Sequence, residues 1–306
     1  MLHLSSLKQK LLVILGPTAS GKSSLAVNLA KRYSGEVISA DSRQIYTGLD
    51  IGTGKITQKE MGDIPHHLLN ILDVGKKFSV VDFKEKADRA IYTVHTGGKL
   101  PILAGGTGLY IRAVIDNWLP PEVPIDQILR NTLSDKSPDE LFALLQKTDP
   151  ERARAIDKNN SRRLVRALEI THTLGSVPKI EISFPKDYEQ SPYNVLQIGL
   201  LLEDAELRKR IQMRVTERIK NGFIKEVEEL SKKLSQEQLY EIGLGYRIIA
   251  EYPGQMRTKE SLIEAITASE WQYAKRQMRW FKRDSRIIWI NAQDNCEKRV
   301  QEFLAN

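Results

Sequence analysis

The feature that most constrains this chain is an apolar run, Leu11 to Leu15, that passes directly into Gly16-Pro17-Thr18-Ala19-Ser20-Gly21-Lys22-Ser23. Lys10–Leu15 reads as a strand buried on both faces, and Ser24–Tyr33 reads as a helix. The octapeptide between them fits G-x-x-x-x-G-K-[ST], the phosphate-binding P-loop, in its required strand-to-helix setting. Its glycines let backbone N–H groups curl around a phosphate, and the helix N-terminus adds a favourable dipole. Lys22 supplies positive charge, and the Ser23 hydroxyl is placed to reach a magnesium ion.

Two further strands end in chemically useful loops. Glu36–Ala40 runs into Asp41, and Leu100–Ala104 runs into Gly105-Gly106-Thr107. Ligands of open α/β sheets sit beyond the carboxyl ends of the strands, so these loops are expected to face the same crevice as Gly16–Ser23. After Asn117 the composition changes. Pro120, Pro121 and Pro124 form a stiff connection into helical stretches at Ser137–Lys147 and Asp149–Thr173, which end at Gly175 and Pro178. Tyr193–Leu202 is strand-like again. From Asp204, read as an N-cap, Leu207, Ile211, Val215 and Ile219 repeat at helical spacing up to Asn221-Gly222, and more helices follow to Arg286. The predicted fold is α/β, a P-loop NTPase-like parallel sheet flanked by helices. A helical insertion domain at 116–190 interrupts a catalytic core formed by 1–115 and 191–306.

Composition narrows the setting. Cys296 is the only cysteine among 306 residues, which excludes an internal disulfide and a cysteine-held zinc. No stretch has the length of a membrane span, and Met1–Lys10 lacks a signal-peptide core, so a cytoplasmic enzyme is expected. With 46 Lys and Arg against 39 Asp and Glu, the net charge of +7 favours a polyanionic partner, although bulk charge also serves solubility alone.

Individual residues leave several chemistries open. Asp41 suits a general base, a magnesium-holding carboxylate, or a cap for the turn that follows it. Pro65-His66-His67 lacks a third metal ligand at a recognisable spacing, so His66 and His67 read as loop histidines. Arg162, Arg163 and Arg166 recur on one side of the insertion, and Lys275, Arg276, Arg279, Lys282 and Arg283 cluster near Trp280. Each set reads either as a solvated helix face or as a contact for RNA phosphates. A P-loop alone does not choose between kinases, NTPases and other diphosphate users.

Taken together, the segments resemble the tRNA dimethylallyltransferase, or tRNA isopentenyltransferase, family along nearly the whole chain. The resemblance rests on Gly16–Ser23, Asp41-Ser42 with Gln44-Ile45-Tyr46, Asp50-Ile-Gly-Thr53, Pro65-His66 and Gly105-Gly-Thr107 with Leu109-Tyr110. It continues through Arg162-Arg-Leu164 with Arg166-Ala-Leu-Glu169, Gly245-Tyr246-Arg247 and Ala274-Lys-Arg-Gln277. The resemblance implies a dimethylallyl diphosphate donor and, as acceptor, the exocyclic amine of the adenosine 3′ of the tRNA anticodon. It further implies that Gly16–Ser23 holds the donor diphosphate with Mg2+ through Ser23, that Asp41 is the general base, and that Thr107 and Lys22 act at the reacting groups.

Arg210 and Arg214 match arginines of the family and become candidates for the departing diphosphate, while their spacing also suits an exposed face. Asp41, Ser42, Arg43 and Gln44 would line the channel that receives the flipped base. Arg162, Arg163, Leu164, Val165 and Arg166 would contact the anticodon stem-loop. Arg43 stands where small residues are frequent in relatives, and Gly108 and Val165 occupy variable positions. Without the zinc-finger extension of many eukaryotic relatives, the chain resembles the bacterial type, expected to act as a monomer. Three alternatives remain at this point: a P-loop small-molecule or nucleotide kinase, a prenyltransferase acting on free adenine nucleotides, and a non-catalytic RNA-binding protein.

Overall fold

The computed structural model describes residues 8–178, 184–252, 258–291 and 294–306. Residues 1–7 of the N-terminal segment and 179–183 of the insertion lie outside the described residues. The strands are β1 (Gln9–Leu15), β2 (Gly35–Ala40), β3 (Tyr46–Thr47), β4 (His66–His67), β5 (Leu72–Asp73), β6 (Leu100–Gly105), β7 (Tyr193–Leu201) and β8 (Ile288–Asn291). Six of them form a parallel sheet in the order β4-β2-β6-β1-β7-β8, while β3 and β5 pair separately.

Leu11–Leu15 of β1 are fully covered because successive side chains point to opposite faces and both faces carry helices. Leu11, Val13 and Leu15 pack with Phe83, Ile91, Tyr110 and Val114 on one side. Leu12 and Ile14 pack with Ala26, Leu29, Ala30 and Val300 on the other. Each such side chain contributes about 1.5–3 kcal/mol by leaving water, which anchors β1 at the centre of the sheet. From β1 the chain steps over β6 to β2, returns to β6, and crosses to β7 on the far side of β1. The carboxyl end of β1 is therefore the point where strand order reverses, the place where such sheets bind ligands.

Four details differ from the sequence reading. β8 and the helix Glu297–Ala305 were not anticipated, because the apolar run Ile287–Ile290 is too short for its period to reveal a strand. His66 and His67 form an edge strand on β2 rather than a loop, with His67 Nε2 2.6 Å from Glu36 Oε2. The stretch Asp149–Thr173 is two helices, Pro150–Ala155 and Ser161–Leu174, the second starting where the Asn160 side chain accepts the Arg163 N–H. Asp204 is the first residue of its helix, with Glu203 in the cap position. There its charge faces the positive end of the dipole.

Two compact units emerge, Met1–Trp118 with Phe184–Asn306, and Leu119–Ser183. The boundaries fall inside the expected 116–190 because Arg286 binds residues from both flanking segments within the larger unit. Its guanidinium meets both Asp116 carboxylate oxygens at 2.7 and 3.2 Å, donates to the Asp187 carbonyl at 3.0 Å, and lies over the Tyr188 ring.

The smaller unit has its own core of Val123, Leu133, Leu141, Leu145, Leu164, Leu168 and Ile170. At its centre the fully buried Glu169 accepts two bonds from Arg130, one from Arg166 and the Asp126 N–H. Burial alone would raise the Glu169 carboxyl, but these donors hold it below its ordinary value. Glu169→Ala leaves two arginines without their shared acceptor. It is expected to cost roughly 2–3 kcal/mol of that unit's stability, read by urea denaturation.

Candidate active site

Three loops meet at the carboxyl edge of the sheet. The first, Gly16–Ser23, leaves β1 and opens the helix Lys22–Arg32. Ala19 and Gly21 both adopt positive φ, at 61° and 95°, so the loop curls back on itself; for Ala19 this is a strained, left-handed conformation. The amides of Lys22 and Ser23 begin the helix, where the first turn has no carbonyl to bond. Ser20 Oγ is fully buried beneath the loop and has no hydrogen-bond partner among the described residues. The Thr18 and Ser20 amides are taken by Gln277 Oε1 and the Pro17 carbonyl, but the amides at the helix start together with an orphaned buried hydroxyl suit a phosphate group.

Charge in the loop points the same way. Lys22 Nζ donates to the Pro17 carbonyl at 2.5 Å. The residue as a whole is only partly covered, but its ammonium is enclosed by protein. Burial and then the nearby Arg214 pull it down to about 7, against the opposing attraction of Asp41. Arg214, on the helix Asp204–Lys220, donates to the Gly54 carbonyl at 2.6 Å and reaches Thr18 Oγ1 at 3.4 Å. Burial and then Arg218 lower its own pKa. Like charges gathered in a covered site are relieved by a polyanion. Arg210, one turn earlier, is instead paired with Glu206 at 2.7 Å.

The second loop follows β2. Asp41 Oδ1 accepts the amides of Arg43 at 2.9 Å and Gln44 at 3.3 Å, so the carboxylate does cap its own turn. Its Oδ2 has no bonded partner among the described residues. The third loop follows β6. Thr107 occupies the cap position of the helix Gly108–Ile115, yet its hydroxyl does not cap it. Thr107 Oγ1 accepts the Ser42 N–H at 3.1 Å and lies 3.5 Å from Ser42 Oγ, while the Thr107 N–H donates to the Ala40 carbonyl. Thr107 thus fixes the residue beside Asp41.

A family model described as IPP transferase matches residues 44–284. The chain belongs to the IPP transferase family. A tRNA dimethylallyltransferase of Anoxybacillus flavithermus is 41% identical over 298 residues, covering 97% of this chain and 95% of the relative. That of Bacillus subtilis is 37% identical over 292 residues, covering 94% and 92%. Among solved structures, a tRNA isopentenylpyrophosphate transferase of Bacillus halodurans matches with TM-score 0.70 and 38% identity, covering 97% of this chain and 96% of that one. A eukaryotic dimethylallyltransferase acting on tRNA matches with TM-score 0.79 and 27% identity, covering 97% and 80%.

Glu226, Arg218 and Tyr273, which shape the candidate site in this IPP transferase family member, were not singled out by sequence reasoning, although Gly52 and Tyr246 lay in its motifs. Glu226 accepts the consecutive amides of Asp50, Ile51 and Gly52 at 2.7–3.0 Å and the Tyr246 hydroxyl at 2.8 Å. Gly52 is pressed so closely on Phe223 and Tyr246 that a Cβ there would stand 2.1 Å from the Phe223 ring. Arg218 donates to the Gly52 carbonyl at 2.7 Å and pairs with Glu270. These contacts place Gly54, and through its carbonyl Arg214. Tyr273 is 40% exposed, but its hydroxyl is enclosed: burial and then the charge of Asp41 push it up to about 12.

In the smaller unit, Arg162 and Arg163 are exposed, while Leu164 is sealed in the core and Val165 packs against it. Arg166 is held by Glu169 and the Val123 carbonyl. On the helix Lys259–Phe281, Lys275, Arg276 and Arg279 are exposed, with Lys275 over the Trp271 ring and Arg276 over Tyr273. No helix of the described residues is long and apolar enough to cross a membrane.

Proposed function

We infer that this chain is a tRNA dimethylallyltransferase, which moves the dimethylallyl group of dimethylallyl diphosphate to the exocyclic amine of the adenosine 3′ of the anticodon. The observation that supports the reading is a shared sheet edge: Leu15, Gly105 and Ala40 stand in register at the ends of β1, β6 and β2, so the Gly16–Ser23 loop, Thr107 and Asp41 all follow from the same edge. One side of the crevice suits a leaving diphosphate, and the other presents a carboxylate oxygen for the proton of the attacking amine.

In the transfer step the adenine nitrogen bonds to the allylic carbon as the carbon–oxygen bond to diphosphate breaks. The diphosphate departs with that electron pair, and Asp41 Oδ2 takes the amine proton. An adenine amine is a weak nucleophile because its lone pair is delocalised into the ring, so losing the proton as the bond forms lowers the barrier. Lys22, Arg214 and the loop amides stabilise the charge that collects on the diphosphate. Thr107 keeps Ser42, and with it Asp41, in position.

Magnesium fits the donor set in a restricted sense. Among the described residues no three His, Cys, Asp or Glu side chains gather to cage an ion, so the protein would contribute chiefly the exposed Ser23 hydroxyl beside the bound phosphates. When bound, the ion would neutralise charge on the leaving group. On the acceptor side, Asp41–Gln44 would receive the base and the exposed Arg162 and Arg163 would contact tRNA phosphates.

The lowered Lys22 gives a pH prediction. Above about pH 7 the free site loses its ammonium, and binding an anion must restore it. Affinity for inorganic diphosphate is therefore expected to weaken between pH 7 and 9 relative to Lys22→Arg, by up to roughly tenfold per unit, because a guanidinium stays charged throughout. Calorimetric titration of both proteins across that range cancels the ligand's own titration. Incubation with labelled dimethylallyl diphosphate and unmodified tRNA, beside parallel reactions with ATP and with free adenine nucleotides, tests the function. Label entering tRNA supports it, and phosphoryl transfer from ATP without prenyl transfer overturns it.

A further inference from the structure

We propose that Gln277 is a positioning residue whose single buried carboxamide sets the distance between the diphosphate loop and the loop that steadies the base. The inference rests on the prenyl-transfer reading above and adds to it a residue that touches neither substrate.

The Gln277 side chain lies on the helix Lys259–Phe281, is 7% exposed, and makes two opposed bonds to the loop backbones, with the Tyr273 hydroxyl also within hydrogen-bonding reach of its amide. Its Oε1 accepts the Thr18 N–H at 2.9 Å, and its Nε2 donates to the Gly106 carbonyl at 2.9 Å. Thr18 is inside the phosphate loop. Gly106 immediately precedes Thr107, which accepts the Ser42 N–H beside Asp41. A continuous path of hydrogen bonds and covalent links thus runs from the backbone that would hold the leaving group to the carboxylate that would take the proton. Gly106 and the Gln277 amide approach closely, since a Cβ on Gly106 would stand 2.3 Å from Gln277 Nε2. Transfer chemistry requires the allylic carbon and the amine to meet within a few tenths of an ångström, so a fixed spacing between these loops acts on the rate more than on either affinity.

The bridge requires one group that accepts and donates at once. A carboxamide does so at every pH. A carboxylate would still accept from Thr18 but would place a negative oxygen against the Gly106 carbonyl. A neutral carboxyl restores both bonds, because its O–H replaces the lost N–H. Gln277→Glu therefore carries a test that a purely space-filling role cannot imitate. Burial raises the pKa of the introduced carboxyl, so lowering the pH converts it to the form that bridges.

The experiment measures kcat, and KM for each substrate, for wild type, Gln277→Glu and Gln277→Met from pH 5.5 to 8.5, with the thermal midpoint of each protein recorded at each pH. The expected result at pH 8 is a loss in kcat of about tenfold or more for both variants, with both KM values within about threefold of wild type. As pH falls, the ratio of Gln277→Glu to wild-type kcat rises several-fold, while that of Gln277→Met stays flat. A flat ratio for both variants, or a rise that merely follows the thermal midpoint of Gln277→Glu, overturns the proposal. Wild-type protein without prenyl transfer at any pH would instead overturn the functional reading, and a calorimetric titration with inorganic diphosphate would then still compare the variants at the phosphate loop.

Discussion

Asp41→Asn is expected to lower the rate of prenyl transfer by about 10²- to 10⁴-fold while leaving tRNA affinity near that of wild type. The substitution separates the two roles that this residue combines. An asparagine Oδ1 still accepts the Arg43 and Gln44 amides, so the turn after β2 keeps its cap. What disappears is the negative charge and the basicity of Oδ2, which has no bonded partner among the described residues and is the atom proposed to take the amine proton. Asp41→Ala removes the cap as well and should lose stability that Asp41→Asn retains, by about 1 kcal/mol. Single-turnover rates, tRNA binding and thermal midpoints of the two variants distinguish a missing base from a collapsed loop. Near-normal turnover by Asp41→Asn would remove Asp41 from the chemistry.

Arg214→Ala is expected to lower kcat by about 10²- to 10³-fold, the usual effect of removing a preorganised donor from developing negative charge. Arg214 stands between the phosphate loop and the Gly54 carbonyl, and its neighbour Lys22 already loses protons more readily because of it. Removing Arg214 has a second, opposite consequence: without the like charge, Lys22 should regain part of its ordinary basicity. The pH dependence of diphosphate binding in Arg214→Ala should therefore move to higher pH even as catalysis falls. Arg214→Lys keeps the charge but cannot span Thr18 and Gly54 as a guanidinium does, and should recover only part of the rate. Calorimetry with inorganic diphosphate beside steady-state kinetics reads both effects. A variant with lower kcat and an unmoved pH dependence would show that Arg214 acts only by bracing the loop.

The sequence foretold the parts of the site that local rules govern. An unbroken apolar run before Gly16 requires a strand with both faces covered, and β1 has that character. Asp41 and Thr107 were legible because each follows a strand, and parallel order sends all such ends to one edge of the sheet. The contacts that align them were not legible. Gln277 belonged to a recognisable motif, but nothing local in Ala274–Gln277 says that its amide bridges residues 18 and 106. Glu226 carries no local motif that marks it, although it gathers three amides of the loop after β3. Such partners lie more than a hundred residues away in sequence, and only the packed helices bring them together.

Helix boundaries failed for a related reason. Asn160 ends one turn and starts the next helix, a choice fixed by its bond to Arg163 rather than by the apolar period around it. In the same way, Leu164 looked like part of an arginine-bearing contact surface in the sequence, whereas the fold seals it in the insertion's core and leaves Arg162 and Arg163 outside. The motif Arg162–Glu169 therefore mixes two tasks. Leu164, Arg166 and Glu169 hold the unit together, and Arg162 and Arg163 lie at its surface.

The most direct measurement is mass analysis of the nucleosides released from tRNA after reaction with dimethylallyl diphosphate, with fragment mapping around the anticodon. The expected result is one adenosine, immediately 3′ of the anticodon, heavier by a dimethylallyl group on its exocyclic nitrogen, with diphosphate released in equal amount. Unmodified adenosine there, with the donor intact or its phosphate passed to another acceptor, would contradict the assignment.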